Sequence, residues 1–347
     1  MNNLELFSGA GGLALGLHNA GIKNVALIDF YKDANNTVKE NFPEWNVITE
    51  DLNNVAEVGI WNYIEKQNID MLTGGFPCQP FSYAGKRLGL EDTRGTVFYS
   101  LAKIIRDVNP NIFMLENVKG LLNHDKGRTF KTIVEILEDL GYRLDYRVLN
   151  AWNYGVAQKR ERLIIIGIKN KYQSTFTWPK EEDYKPVLKD VLKDVPDSQG
   201  RTYNEKKYAI IDMVPAGGCW VDLPEDVAKE YMGKSYYSGG GKRGMARRLS
   251  WDEPSLTLTT APDMKQTERA HPAETRPLTV REYARIQSFP DWYVFTGGMT
   301  SQYKQIGNAV PVKLAEHLGK QLIELHKNIK REKVDDHEQL DIRFYNL

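Results

Sequence analysis

The first half of the sequence predicts an α/β fold, an open sheet whose strand ends face a ligand, and three observations carry that expectation. Short apolar runs alternate with helical patterns from residue 4 to about residue 170. A glycine-rich turn follows the first run directly. Acidic residues recur where later runs stop, the edge at which open α/β sheets bind ligands.

Residues 4–7 form the first expected strand, and Ser8, Gly9, Ala10, Gly11 and Gly12 turn the chain into a helical pattern of Leu13, Ala14, Leu15, Leu17 and Ala20. Glycines there let a cofactor lie against the N–H groups of the helix start, although the spacing departs from the dinucleotide G-x-G-x-x-G. A second strand at 25–28 ends in Asp29 and Phe30. The acid suits a ribose diol and the ring an adenine face; a capping acid and a core aromatic are the plainer alternatives. Segment 48–52 puts Asp51 after another apolar pair, again consistent with a polar contact to a cofactor base.

The run 69–72 leads into Gly74, Gly75, Phe76, Pro77, Cys78, Gln79, Pro80 and Phe81. Two prolines stiffen this loop and two glycines admit a close neighbour. Cys78 is either a nucleophile presented at a strand end or a buried structural thiol. Segment 83–92, with Lys86 and Arg87 at its centre, is a lid or an ordinary surface loop. A helix at 96–108 precedes a strand at 111–115 that delivers Glu116 to its carboxyl end. A helix at 129–140 and a strand at 143–149 follow, then Gln158, Lys159, Arg160, Glu161 and Arg162 before the apolar 163–166. In an extended segment Arg160 and Arg162 point the same way, toward an anionic or carbonyl-rich ligand or into solvent beside Glu161.

From about residue 170 to 275 the alternation fades and glycines and aromatics gather. Within 231–250 the charged residues are Lys234, Lys242, Arg243, Arg247 and Arg248, with no acid. Such a patch is the footprint of phosphate contact, with a solvated loop as the alternative. Thr279 and Glu282 fit a capping box opening a helix to Gln287. Segment 305–312 is expected to open a final amphipathic helix to about residue 329, and 330–347 to form a loosely held polar tail.

The 347 residues suffice for one large or two ordinary domains. Basic and acidic residues balance at 46 each, so a polyanion site must be local. Two cysteines make neither a disulfide framework nor a usual zinc site, and they suit a reducing compartment. With no apolar run of spanning length and no signal-like start, an intracellular, cytoplasmic protein without membrane contact is expected.

The ordered series 7–12, 75–79, 116–118, 158–162, 276–282 and 307–308 resembles the DNA (cytosine-5) methyltransferases, most closely the prokaryotic enzymes that partner restriction systems. The resemblance covers most of residues 1–170 and 276–320. It implies a seven-stranded, Rossmann-like S-adenosylmethionine-dependent methyltransferase sheet with a smaller, mostly irregular or β target-recognition domain. Residues 1–170 with 301–330 would form the catalytic domain, 171–300 the recognition domain and 331–347 the tail. Cys78 would attack C6 of a flipped cytosine, Glu116 would hold N3 and the exocyclic amine, Arg160 would lie near O2 and Arg162 near the active-site groups.

For S-adenosyl-L-methionine the resemblance implies Phe7, Ser8, Gly9, Ala10, Gly11 and Gly12 around the methionine moiety, Asp29 on the ribose, Phe30 on the adenine and Asp51 near its amine. Leu52, Pro77 and Asn308 complete that set, Asn308 tying the returning segment to the catalytic loop. Duplex DNA would meet Gln79, Ser82, Lys86, Arg87, Lys242, Arg243, Arg247, Arg248 and Thr257, the last as part of a Thr-Leu recognition pair. No metal is implied, and a monomer beside a cognate restriction endonuclease is expected. The rival readings are methylation of cytosine in transfer RNA and a non-catalytic DNA-binding protein. The long region 170–275 favours DNA over RNA, and the joint presence of Cys78, Glu116, Arg160 and Arg162 favours an enzyme.

Overall fold

The computed structural model describes residues 1–77, 96–237 and 244–344. The chain divides into two compact units, one of Met1–Leu149, Glu161–Glu181 and Leu314–Leu347, the other of Asn150–Arg160 and Glu182–Lys313.

The first unit is built on a seven-stranded sheet. Its strands are β1 (Asn2–Leu6), β2 (Lys23–Asp29), β3 (Val47–Thr49), β4 (Met71–Gly75), β5 (Ile112–Val118), β6 (Tyr142–Asn150) and β8 (Glu161–Lys169), in the order β3-β2-β1-β4-β5-β8-β6. The short β7 (Gln158–Lys159) belongs to the other unit. Strands β1 to β5 pair in parallel and β8 runs antiparallel to β5. Parallel strands are covered on both faces, which is why they are near-continuous apolar runs in the sequence.

One face carries Leu4, Leu6, Ile28, Leu72, Phe113 and Leu115 against helices α3 (Leu52–Val58), α4 (Val97–Val108) and α5 (Arg128–Asp139). The other gathers Ala14, Leu27, Val38 and Val47 beneath α1 (Gly12–Asn19) and α2 (Lys32–Asn41). Chain order proceeds outward from β1 to β2 and β3, then resumes on the opposite side of β1 with β4 and β5. That reversal leaves a crevice beyond the carboxyl ends of β1 and β4, where the glycine turn and the segment leading to Cys78 emerge.

The second unit holds β7 paired in parallel with β9 (Ser255–Leu256), and the helices α6 (Leu188–Val191), α7 (Glu205–Asp212), α8 (Glu225–Met232), α9 (Val280–Ile286) and α10 (Met299–Asn308). Its core includes Ile210, Ile211, Val214, Leu223, Ala246 and Ala270. Short helices and irregular chain dominate here, and the β content among the described residues is one two-stranded ladder with isolated bridges. The helices have local causes: the Asn204 side chain caps α7 by accepting from the Lys207 N–H, and Glu225 and Asp226 occupy the first turn of α8. Thr279 and Glu282 form the expected capping box at the start of α9.

The carboxyl-terminal region departs from expectation. Gln305 to Asn308 close α10 instead of opening the last helix, and α11 runs Val312–Phe344, well past residue 329. Pro311 explains the break, because its ring and missing N–H favour a helix start over a helix interior. Leu314, Leu318, Leu322, Leu325 and Ile329 form the buried stripe of α11, where Gly319 meets Leu17 and Ala20 near the end of α1. Among the described residues no helix is long and apolar enough to cross a membrane.

Candidate active site

The crevice begins at the first turn. After β1 the chain passes through positive φ at Phe7, Gly9 and Gly11, and α1 starts with no side-chain cap and no acid in its first turn. The start of α1 therefore offers its N–H groups and the positive end of its dipole to an anionic group. The Asp29 carboxylate braces this turn, accepting from Gly9 N–H at 2.8 Å and from Tyr31 N–H at 2.8 Å. Phe30 beside it is 69% exposed, an aromatic ring left to solvent at a strand end. The Ser8 hydroxyl is buried and meets no partner among the described residues.

Asp51 caps α3 through Asn53 N–H, 2.8 Å away, which places an exposed carboxylate at the helix start beyond β3. Leu52, counted with the cofactor residues, packs with Val55 and Ile60 in the apolar core. An uncapped helix start for a carboxylate, acids at two strand ends and an unburied ring for a base together fit an adenosyl amino acid. Asn308, in the other unit, is exposed at the last position of α10.

A second group gathers at β4, β5 and β8. Glu116 stands opposite Ile164, and Arg162 opposite Val118, so the two are diagonal neighbours on one face of the antiparallel pair. Their side chains meet at 2.7 Å between Arg162 Nε and Glu116 Oε1, both largely shielded from water. Gly75 is aligned with Glu116 across β4 and β5, and a Cβ there would lie 2.9 Å from Glu116 Oε2. A side chain at this position would displace the Glu116 carboxylate from where it lies along the strand that leads to Cys78. Asn117, buried, donates to Phe76 C=O at 2.8 Å and fixes that same segment one residue before Pro77. Asn117 falls within the 116–118 segment of the resemblance, which assigned it no role.

Cys78, Gln79, Ser82, Lys86, Arg87, Lys242 and Arg243 lie outside the described residues. Of the other expected residues, Arg160 is placed differently from the expectation. Its side chain is 1% exposed and donates to Leu258 C=O (3.2 Å), Gly307 C=O (2.9 Å) and Ala309 C=O (3.1 Å). A guanidinium held this way is not available to a base O2. Arg160 and Arg162 do not share one strand, because Arg160 falls between β7, which pairs with β9, and β8, which pairs with β5. The basic patch is corrected too. Arg248 is buried and donates to Ile211 C=O and the Thr275 hydroxyl, and Arg247 faces Glu253 at 3.3 Å. Those partners lie outside the 231–250 window, so the window's lack of acids misrepresented the surroundings. Thr257, half-buried, donates its hydroxyl to Lys159 C=O at 2.7 Å.

A further acid, not singled out in the sequence, lies beneath the turn. Glu5 is 1% exposed and neither carboxyl oxygen has a hydrogen-bond partner among the described residues. Burial pushes it up to about 8, outweighing the nearby Ala14 N–H and Thr73 hydroxyl, with the Asp29 charge adding to the rise. Its signal in the sequence was a carboxylate in an otherwise apolar strand.

The model of the C-5 cytosine-specific DNA methylases matches residues 1–324. Among curated relatives, type II methyltransferase M.Sau96I of Staphylococcus aureus is 55% identical over 326 residues, 93% of this chain and 75% of the relative. Type II methyltransferase M.Eco47II of Escherichia coli is 56% identical over 338 residues, 94% of this chain and 80% of the relative. Among solved structures, a DNA modification methyltransferase encoded within a prophage (E. coli) superposes with a TM-score of 0.68 at 25% identity, covering 94% of this chain and 99% of that one. A DNMT2 of Spodoptera frugiperda shares the fold, with a TM-score of 0.61 at 21% identity over 94% of this chain and 99% of that one. With S-adenosyl-L-methionine as its cofactor, the chain belongs to the C-5 cytosine-specific DNA methylases as a type II enzyme of the restriction-modification kind.

Proposed function

We propose that the enzyme methylates C5 of a cytosine extruded from duplex DNA through a transient bond between Cys78 and the ring, marking a site that a cognate endonuclease cuts when unmethylated. The observation that carries this reading is the Glu116–Arg162 pair, set on the sheet edge beside the strand that ends at Gly75 and leads to Cys78. Cytosine C5 is a weak nucleophile. Bonding of the Cys78 thiolate to C6 makes it enamine-like, with N3 gaining a proton on the Glu116 side as the charge moves onto the ring. S-adenosyl-L-methionine supplies an electrophilic methyl group on a positively charged sulfur. The methyl would pass to C5 as the donor sulfonium becomes a neutral thioether; C5 then loses its own proton to a base, the Sγ–C6 bond breaks to return the thiolate, and N3 gives its proton back to the Glu116 side to leave 5-methylcytosine. Arg162 holds the Glu116 carboxyl in place and is the arginine near the base.

Neither C5 nor C6 is reachable by a protein sulfur inside a duplex, so the base must leave the stack. The turn from Phe7 to Gly12, with Asp29, Phe30 and Asp51, holds the methyl donor, and the second unit serves target recognition by a monomeric enzyme. The test is a duplex with 5-fluorocytosine at the target, incubated with enzyme and cofactor. A covalent protein–DNA band that survives denaturation is expected from the native enzyme and none from Cys78→Ala. An active enzyme that forms no such band, or a Cys78→Ala variant that still transfers methyl groups, overturns the mechanism. Transfer to RNA in preference to duplex DNA overturns the substrate assignment.

A further inference from the structure

The second unit buries two arginines that fix the two residues of one dipeptide. Arg269 donates to Thr257 C=O at 2.7 Å and to Glu268 C=O at 2.6 Å. Arg160 donates to Leu258 C=O, Gly307 C=O and Ala309 C=O. Leu258 N–H donates to Gln158 Oε1 at 2.8 Å, and the Thr257 hydroxyl to Lys159 C=O at 2.7 Å. The residues just before are held by the β7–β9 ladder, with Lys159 aligned to Leu256. Just after them, Gly307 touches main chain, since a Cβ there would lie 2.1 Å from Thr259 C=O.

Gln158 Nε2 also donates to Gln287 Oε1 at 2.7 Å, and Gln287 Nε2 to Ile306 C=O at 2.7 Å and Ala309 C=O at 3.1 Å. The dipeptide is thereby tied to the end of α10 through side chains that are themselves buried. Taking a guanidinium out of water is costly, and burial pushes Arg269 down to about 10. A short irregular segment held by two such groups is rigid where an ordinary loop would yield.

We propose that Arg160 and Arg269 are specificity-determining positioning residues: by gripping the Leu258 and Thr257 carbonyls they hold this dipeptide as a fixed edge that presents Thr257 to duplex DNA. The proposal rests on the reading of Thr257 as a DNA contact. Neither arginine touches substrate. Each acts by limiting the positions the threonine can take, so that a wrong base pair is not accommodated by a shift of the segment. Lysine in place of either arginine keeps a charge and loses the fork that reaches more than one carbonyl.

The test compares Arg160→Lys, Arg269→Lys and Thr257→Ala on a duplex carrying the target mapped by bisulfite sequencing, and on duplexes with one base pair of that target changed. Thermal melting of each variant is measured alongside. A mismatched pair typically costs a DNA reader about 1–3 kcal/mol, or roughly 5- to 150-fold. Both lysine variants are expected to raise KM for the target about tenfold, keep kcat within about threefold, and lose about tenfold of the discrimination ratio. A change of fold alone would lower the melting temperature or the active fraction without altering that ratio. Unchanged discrimination in a folded lysine variant, with Thr257→Ala relaxing it, overturns the clamp alone. Unchanged discrimination in Thr257→Ala overturns the underlying reading of Thr257 and the clamp with it. If Arg160→Lys does not fold, Arg269→Lys decides the question.

Discussion

Glu5 makes the stability of this enzyme depend on pH in a direction opposite to that of an ordinary carboxylate. On β1 it is aligned with Leu27 of β2 and Thr73 of β4, on the face covered by α1, with Ala14 N–H above it and the Asp29 charge nearby. In the unfolded chain the group ionises above 4.5, whereas burial holds its proton in the native state up to about 8. Between those values the native state binds the additional proton, so the stability that Glu5 contributes is fully present below 4.5, falls as pH rises, and is lost above 8. Across the whole window the loss is on the order of 5 kcal/mol, at about 1.4 kcal/mol per pH unit. Glu5→Gln keeps the shape and removes the titration. Between about pH 6 and about pH 8.5 the wild type should therefore lose roughly 3 kcal/mol more unfolding free energy than the variant. Urea unfolding at the two pH values reads this difference, and the remaining titrating groups cancel because both proteins share them. Parallel curves, agreeing within about 0.5 kcal/mol at both pH values, would refute the claim that Glu5 is protonated in the native state.

Three further substitutions probe the crevice. Phe30→Ala should weaken cofactor binding about 5- to 150-fold, the value of roughly 1–3 kcal/mol for an aromatic ring stacked on a base, as measured by calorimetry in the absence of DNA. Gly75→Ala puts a Cβ 2.9 Å from Glu116 Oε2, and kcat in single-turnover methyl transfer should drop about tenfold or more with cofactor affinity retained. Arg162→Met removes the partner at 2.7 Å from the Glu116 carboxylate. Its kcat should fall on the order of 100-fold, and a variant that transfers methyl groups at the wild-type rate would leave Glu116 without need of its arginine.

The first unit was legible because its constraints are local. Buried parallel strands announce themselves as apolar runs, and an acid at the end of such a run, as with Glu116 and Asp29, is already at the ligand edge whatever the rest of the chain does. Phe30, next to Asp29, is exposed at the same edge. Glu5 was not singled out, since nothing in a sequence separates a carboxylate sealed beneath a helix from one in water. Arg160 and Arg162 were misjudged as a pair because the alternation rule holds only within one strand, and the chain leaves the β7 ladder at Lys159 and joins the β8 ladder at Glu161. The final helix was begun too early because a Gly-Asn-Ala sequence before a proline gives no period by which to separate two helices from one.

Arg160 and Arg248, two of the misplaced arginines, share one cause. A chain with little ladder and only short helices leaves many carbonyls without main-chain partners, and buried carbonyls must be satisfied by something. Arginine, with five donors on a rigid fork, can serve several at once. In the second unit Arg160 and Arg269 do so from buried positions, Arg248 serves the Ile211 carbonyl and the Thr275 hydroxyl, and Arg285 reaches the carbonyls of Val191, Lys193 and Asp194. Arg281 similarly reaches Pro290 and Tyr293. Positive charge in an irregular domain is therefore a poor measure of its nucleic-acid footprint, because the scarcity of regular structure itself recruits arginines to the interior. Substituting Arg248 should accordingly lower the melting temperature and leave the salt dependence of DNA binding unchanged, whereas a true phosphate contact would reduce that slope by about one.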